Sequence, residues 1–214
     1  QTIYSLIQSR LTRISDPARR VLDAAVAAGR AFEFEVVYRA AGLSEIAAYD
    51  ALDELRAAGL IHPDPDDLTG RLYTFDHTLT MEVAYREVGE ARHRLLHRRV
   101  AEAIESVYGR QRLDSVAGLI ASHFIEGNAP DQAAPYAFRA GQRAARLAAW
   151  TEAIAFFEQA LAADVDDEQR REICMELGEA RFRSGGPAQA SDAFRAALAL
   201  SEPGTPEAVA AQLA

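Results

Sequence analysis

The 214-residue chain contains no lysine; all 23 of its basic residues are arginine. That absence removes two chemistries. A phosphate-binding loop of the Gly-x-x-x-x-Gly-Lys-Ser/Thr kind cannot be present, and no Schiff base can form on a lysine amine. The single cysteine, Cys174, excludes an intramolecular disulfide and a cysteine-based zinc cluster. No apolar run approaches the roughly 20 residues of a membrane helix. The opening Gln1-Thr2-Ile3-Tyr4 has neither the basic region nor the apolar stretch of a secretory signal. Positive charge is also scarce: 32 Asp and Glu against 23 Arg leave a net charge of −9, the wrong sign for a dedicated nucleic-acid binder. The expectation is a cytoplasmic protein without a membrane or nucleic-acid partner.

What is abundant is alanine, 44 residues or about one in five, which favours helix nearly everywhere. Alanine and arginine have GC-rich codons and lysine AT-rich ones, so the composition points to a GC-rich bacterial genome. The length allows one large domain or two small ones. A start at Gln1 and a stop at Ala214 inside a helical pattern point to a piece of a longer protein.

Helix signals dominate the front of the chain. Ile3, Leu6, Ile7 and Leu11 have helical spacing. Ser15-Asp16-Pro17 is a capping residue followed by a first-turn proline, and that helix runs to Gly29. A short helix covers about Phe34 to Ala41. Ser44 opens a third, with Ile46, Tyr49, Leu52 and Leu55 expected on one face, and Gly59 ends it. Leu60-Ile61-His62 then reads as a strand, the stretch from Pro63 to Gly70 as a turn-rich loop, and Arg71 to Phe75 as the return strand. Three helices followed by one small β-hairpin is the winged-helix order, so residues 1–76 are expected to form a winged helix. Helix resumes from Thr78 to Val88, from Glu90 to Tyr108, and from Leu113 to Glu126 with Leu119 inward. Residues 77–128 are accordingly expected to be a helical connector.

Residues 129–214 carry an internal repeat. Gly141, Ala153, Phe157 and Ala160 recur as Gly178, Ala190, Phe194 and Ala197, all displaced by 37 residues. Leu177 precedes the second glycine, Pro203 follows the second copy, and a third copy is expected to begin at Thr205-Pro206-Glu207. The pattern of a small residue on one helix and Ala-aromatic-Ala on the next resembles the tetratricopeptide repeat, whose period is about 34 residues. About three residues near Val165-Asp166-Asp167 account for the longer spacing. The aromatics of the usual pattern are missing at Ala137, Ala144, Cys174 and Arg181. The fold class expected is mainly α: a winged helix, a helical connector, and a tetratricopeptide-like α-α superhelix.

The most distinctive stretch runs from Tyr73 through Phe75, His77, Leu79 and Tyr85 to Arg94, His97, Val100 and Ala101. It resembles the region that follows the NTPase core in STAND-class ATPases of bacterial regulators, among them large LuxR-type transcriptional regulators and ATPase-linked nucleotide cyclases. There, a Phe-x-His-x-Leu block closes a winged helix, an Arg-x-x-Leu-His block follows, and tetratricopeptide-like repeats come after. The upstream segments 18–25 and 51–61 are similar as well. The resemblance implies a P-loop NTPase domain outside this segment and ATP or ADP as cofactor there rather than here. It also implies a winged helix that contacts that NTPase domain, repeats that sense a protein or small-molecule inducer, and a role in signal transduction or transcription regulation. It places His77 near the β-phosphate of ADP as a nucleotide sensor; the alternative is a histidine that caps its helix and packs under the hairpin. Phe75, Leu79, Tyr85, Arg94 and His97 are structural positions of the motif.

No catalytic site is expected. His62, His77, His93, His97 and His123 show no HExxH pattern, and the His93/His97 pair lacks an evident third metal ligand. Asp64, Asp66 and Asp67 lie in a loop without the spacing of a calcium site. Cys174 falls where a repeat helix packs, and Trp150 begins a helix. Arg92, Arg94, Arg98 and Arg99 sit among Glu87, Glu90, Glu102 and Glu105 at pairing distance. The third helix carries Glu45, Asp50, Asp53 and Glu54 against Arg56, which would repel a DNA backbone. The expected role is therefore a non-catalytic regulatory and protein-interaction segment. The alternative is an autonomous winged-helix DNA-binding regulator with a repeat dimerisation tail.

Overall fold

In a computed structural model, which describes residues 3–200, the chain is mainly helical, with ten helices and one small three-stranded antiparallel sheet among those residues. Pro203 and the expected third repeat at Thr205-Pro206-Glu207 lie outside the described residues. No helix among the described residues is long and apolar enough to cross a membrane. The chain divides into two compact units, residues 1–109 and 110–214. The division falls within the stretch read from sequence as a helical connector.

The first unit is organised around α2 (Asp16–Ala28). Ser15 caps it by accepting from the Ala18 N–H at 3.3 Å, and Pro17 sits in its first turn. Val21, Leu22, Ala24 and Ala25 are fully buried, because the helix packs against α3 (Phe34–Ala41), α4 (Glu45–Ala57) and α5 (Thr78–Glu87). Helix α1 (Ile3–Leu11) buries only Ile7 and Leu11, and it packs against α5. Ser44 caps α4, and Gly59, at φ +61, turns the chain out of it with the Leu60 N–H returning to the Leu55 carbonyl.

Helix α4 buries Ala48, Ala51, Leu52 and Leu55 but exposes Ile46 and Tyr49, which corrects the single apolar face expected for it. Ile46 and Leu55 are nine residues apart, two and a half turns of a 3.6-residue helix, and so point to opposite sides. A run of i+3 steps drifts around the helix and does not mark one stripe.

The single hairpin also needs correcting. The strands β2 (Ile61–Pro63) and β3 (Leu72–Phe75) pair antiparallel as expected, with Ile61 opposite Phe75, but β1 (Ala31–Glu33) pairs with the other edge of β3 to give the order β1-β3-β2. Phe32 stands opposite Tyr73 and packs edge-on against Phe75 at 5.7 Å. Three residues are too few for alternation to show; β1 is held by its partner strand and by this aromatic packing.

The loop joining β2 to β3 is organised by one carboxylate. Asp67 Oδ1 accepts from the N–H and hydroxyl of Thr69, and Oδ2 from the N–H groups of Arg71 and Leu72, at 2.6–2.9 Å. These donors, the Thr69 hydroxyl foremost, hold the Asp67 carboxyl well below the usual carboxylate range. Asp67 thus staples the loop.

Helix α6 (Glu90–Glu126) is broken at Gly109, whose φ of 60° and ψ of −179° are not helical. In the second unit the segment after the break packs on α7 (Pro130–Arg146): Phe124 stacks on Tyr136, and Asp114 pairs with Arg139 and Arg146. Leu119 is exposed there, contrary to expectation. Helices α7, α8 (Trp150–Leu161), α9 (Asp167–Arg183) and α10 (Pro187–Ala199) then pack in succession.

The 37-residue displacement is visible in their packing. Phe157 lies so close over Gly141 that a Cβ there would sit 2.5 Å from its Cε1; Phe194 lies over Gly178 at the same 2.5 Å. Ala153, Ala160, Ala190 and Ala197 are buried around them. The turns match too. Ala148 and Gly185 both have positive φ, and the bond from the Ala149 N–H to the Ala144 carbonyl recurs from Gly186 to Arg181. Glycine on one helix removes the side chain that would keep the facing ring away, and alanine lets the helices approach.

Candidate functional site

Strand β3 ends at buried Phe75, and two residues later His77 starts α5. His77 has extended backbone angles, its carbonyl accepts from the Thr80 N–H at 2.8 Å, and its imidazole makes no capping hydrogen bond and is exposed. His77 thus caps α5 through its backbone and not through its ring. It lines a hollow of about 190 Å3 with Arg30, Asp76 and Thr78. An imidazole and a guanidinium meet there at a helix start, with the Asp76 carboxylate opposing them in charge.

The remaining motif positions divide into buried and surface groups. Leu79 is half-buried, and Val100 and Ala101 are fully enclosed. Tyr85 is half exposed, with its ring 3.9 Å from the His93 ring. Arg94 pairs with Glu90 on the surface, and His97 is partly buried. His93 is buried; its Nε2 donates to the Tyr85 carbonyl at 2.8 Å, and its Nδ1 has no partner. No group of three His, Cys, Asp or Glu among the described residues is placed to hold a metal ion.

One cluster escaped the sequence reading. Asp23, whose side chain is only 3% exposed, lies 2.8 Å from Arg19 and 3.2 Å from Arg92, and Arg19 reaches Glu87 at 2.8 Å. This network ties α2 to the end of α5 and the start of α6. The one signal for it was a lone carboxylate inside the apolar stretch from Val21 to Ala27, four residues after an arginine. It also divides the expected arginine cluster, since Arg92, itself on the surface, pairs with buried Asp23 while Arg94 pairs with Glu90.

In the second unit, the repeat positions Gly141, Phe157, Leu177, Gly178 and Phe194 are all structural and buried. Cys174 is buried, and burial pushes its thiol pKa up, the opposite of the shift that activates a thiolate. Trp150 packs at the edge of the core around Phe157. The surface these helices hold in place is a cleft of about 560 Å3 beside α7 and α9. Phe138, Pro135 and Ile173 give it apolar walls, and Asp131, Arg139, Gln142 and Glu172 give it polar ones. Such a mixed lining binds by shape and hydrogen bonding.

Compared with family models, with curated proteins and with solved structures, the chain matches none.

Proposed function

We propose that this chain is a non-catalytic regulatory and protein-interaction segment of a STAND-type signalling or transcription regulator, coupling a separate NTPase module to a sensor array of repeats. On this reading residues 1–76 are a winged helix, 77–128 a helical connector and 129–214 tetratricopeptide-like repeats. The observation that carries it is the pair of phenylalanine-on-glycine contacts displaced by 37 residues. A packing unit used twice builds a scaffold that extends by stacking and presents a continuous face to a partner. The cleft beside α7 and α9 is the part of that face offered to a protein or small-molecule inducer. His77 adds the nucleotide end, being exposed at a helix start and free of a capping bond.

The DNA-binding alternative draws no support from α4, whose outward residues Glu45, Asp50 and Asp53 would repel phosphate. The test is made in the full-length parent with its NTPase domain. One hydrogen bond to a charged group contributes about 1.5–3 kcal/mol, a roughly ten- to hundred-fold population change. His77→Ala is expected to speed ADP release by that order and to raise basal output. An unchanged ADP off-rate together with unchanged basal output would remove His77 from the nucleotide site.

A further inference from the structure

We propose that the outer face of α4 and the tip of the β2–β3 loop form a docking surface for a basic protein segment that carries an apolar anchor. The surface exposes three large apolar side chains: Ile46 at 79%, Tyr49 at 52% and Leu68 at 100%. Scattered single exposures are ordinary, but adjacent ones rimmed by charge mark interaction sites. Ile46 and Tyr49 stand on the outer face of α4, and Tyr49 also lines a cleft. Tyr49 and Glu45 line it from α4, and Gly70, Arg71 and Tyr73 line it from the hairpin, with Leu68 two residues before Gly70. Its floor is aromatic: Phe34 packs against Tyr49 at 5.3 Å and against Tyr73 at 5.8 Å.

The charge around it is lopsided. The cleft lining holds Glu33, Glu35 and Glu45 against Arg39, which pairs with Glu35, and Arg71, while residues 44–76, from α4 through the hairpin, hold eight carboxylates and the two arginines Arg56 and Arg71. Both arginines already have carboxylates beside them, Arg56 with Asp53 and Arg71 with Glu33. Among the described residues Glu45, Asp50 and Asp66 make no ion pair. Glu45 and Asp50, exposed on the same face of α4 as Ile46 and Tyr49, and Asp66 in the loop with Leu68 repel nucleic acid and anionic membrane alike. They complement a segment in which arginine or lysine alternates with an apolar residue. The cleft already shows the contact such a segment would make, since the Arg39 guanidinium lies 5.9 Å from the Tyr38 ring centroid. An incoming guanidinium over the exposed Tyr49 ring, with Glu45 beside it, would repeat that geometry. His77 takes no part in this surface, so loss of docking and loss of nucleotide sensing are separable.

The probe is a fluorescein-labelled octapeptide alternating arginine and leucine, titrated against the chain by fluorescence anisotropy at low salt. A peptide with glutamate in place of arginine serves as its counterpart. The basic peptide is expected to bind and the acidic one not. Affinity is expected to fall about ten-fold or more in Glu45→Arg/Asp50→Arg, and likewise in Ile46→Ala/Tyr49→Ala. Glu82→Arg/Glu105→Arg makes the same charge change at exposed sites of the same unit and should change it by less than about three-fold. Tyr49→Ala also removes the contact with Phe34, so Ile46→Ala alone, at a 79% exposed site, repeats the apolar test with a melting curve that should superimpose on the parent's and a weaker affinity for the basic peptide. Absence of binding by the basic peptide overturns the proposal. Equal weakening by both charge-reversal pairs also overturns it, because attraction would then follow net charge alone. Self-association in sedimentation that Ile46→Ala/Tyr49→Ala abolishes overturns it too, since the face would then belong to a second copy of the chain.

Discussion

Gly141→Ala separates local helix preference from tertiary packing, because the two act with opposite signs. In a helix interior, alanine in place of glycine contributes about 1 kcal/mol of stability. Here the new Cβ would stand 2.5 Å from Cε1 and 2.6 Å from Cδ1 of Phe157. Phe157 is fully enclosed, so its ring can move only by displacing its core neighbours. Forcing an extra carbon into a close-packed core costs about 1–3 kcal/mol. The net expectation is a destabilisation of up to about 2 kcal/mol. The assay is urea unfolding followed by the fluorescence of Trp150, the only tryptophan, which packs in the same core. Gly178→Ala should act in the same direction, since Phe194 Cε1 lies equally close. A double-mutant cycle adds Phe157→Leu, which shortens the facing side chain. The pair should be less destabilising than the sum by about 1 kcal/mol. Phe194→Ala should cost about 3–5 kcal/mol, while exposed Arg195→Ala should stay within about 0.5 kcal/mol. A Gly141→Ala chain more stable than the parent, with no coupling to Phe157, would refute the ring-on-glycine contact. Equal, small effects of Phe194→Ala and Arg195→Ala would refute the equivalence of the two copies.

Two further outcomes follow from the geometry. Ala148 holds φ of 57° where its counterpart Gly185 has 90°; a left-handed non-glycine residue is strained, so Ala148→Gly should raise the urea midpoint by the equivalent of about 0.5–1 kcal/mol, and a lower midpoint would contradict the strain. The Asp67 carboxyl is held below its usual range by the loop's own donors, so its contribution is full above the unfolded value near 4 and is lost as the pH falls toward the folded one. Thermal melts should accordingly show Asp67→Asn with a lower Tm than the parent at pH 7 and a smaller drop in Tm below pH 4, and parallel profiles would exclude that role.

The features the sequence determined by itself are those decided within a few residues or by exact recurrence. Ser15 and Ser44 start helices because a side-chain oxygen reaches an N–H three residues on, at 3.3 and 3.4 Å. Strands β2 and β3 were legible because the turn-rich loop between them separates two short apolar stretches. The displacement of 37 residues marked the glycines and phenylalanines as one packing unit before any helix was placed. Other features needed distant partners. Strand β1 exists because β3 offers a free edge some 40 residues later. Asp23 is tolerated in the buried face of α2 because Arg92, remote in sequence, joins the nearby Arg19 in pairing with it. Nothing near His77 states that its ring is exposed and makes no capping bond; the 3.6-residue period sets Ile46 opposite Leu55, but not Tyr49 beside a hairpin cleft. Capping and turn bonds are local and survive in any context. Strand edges, buried charges and surface clefts are decided only when chain segments meet, because their energies depend on which groups the fold removes from water.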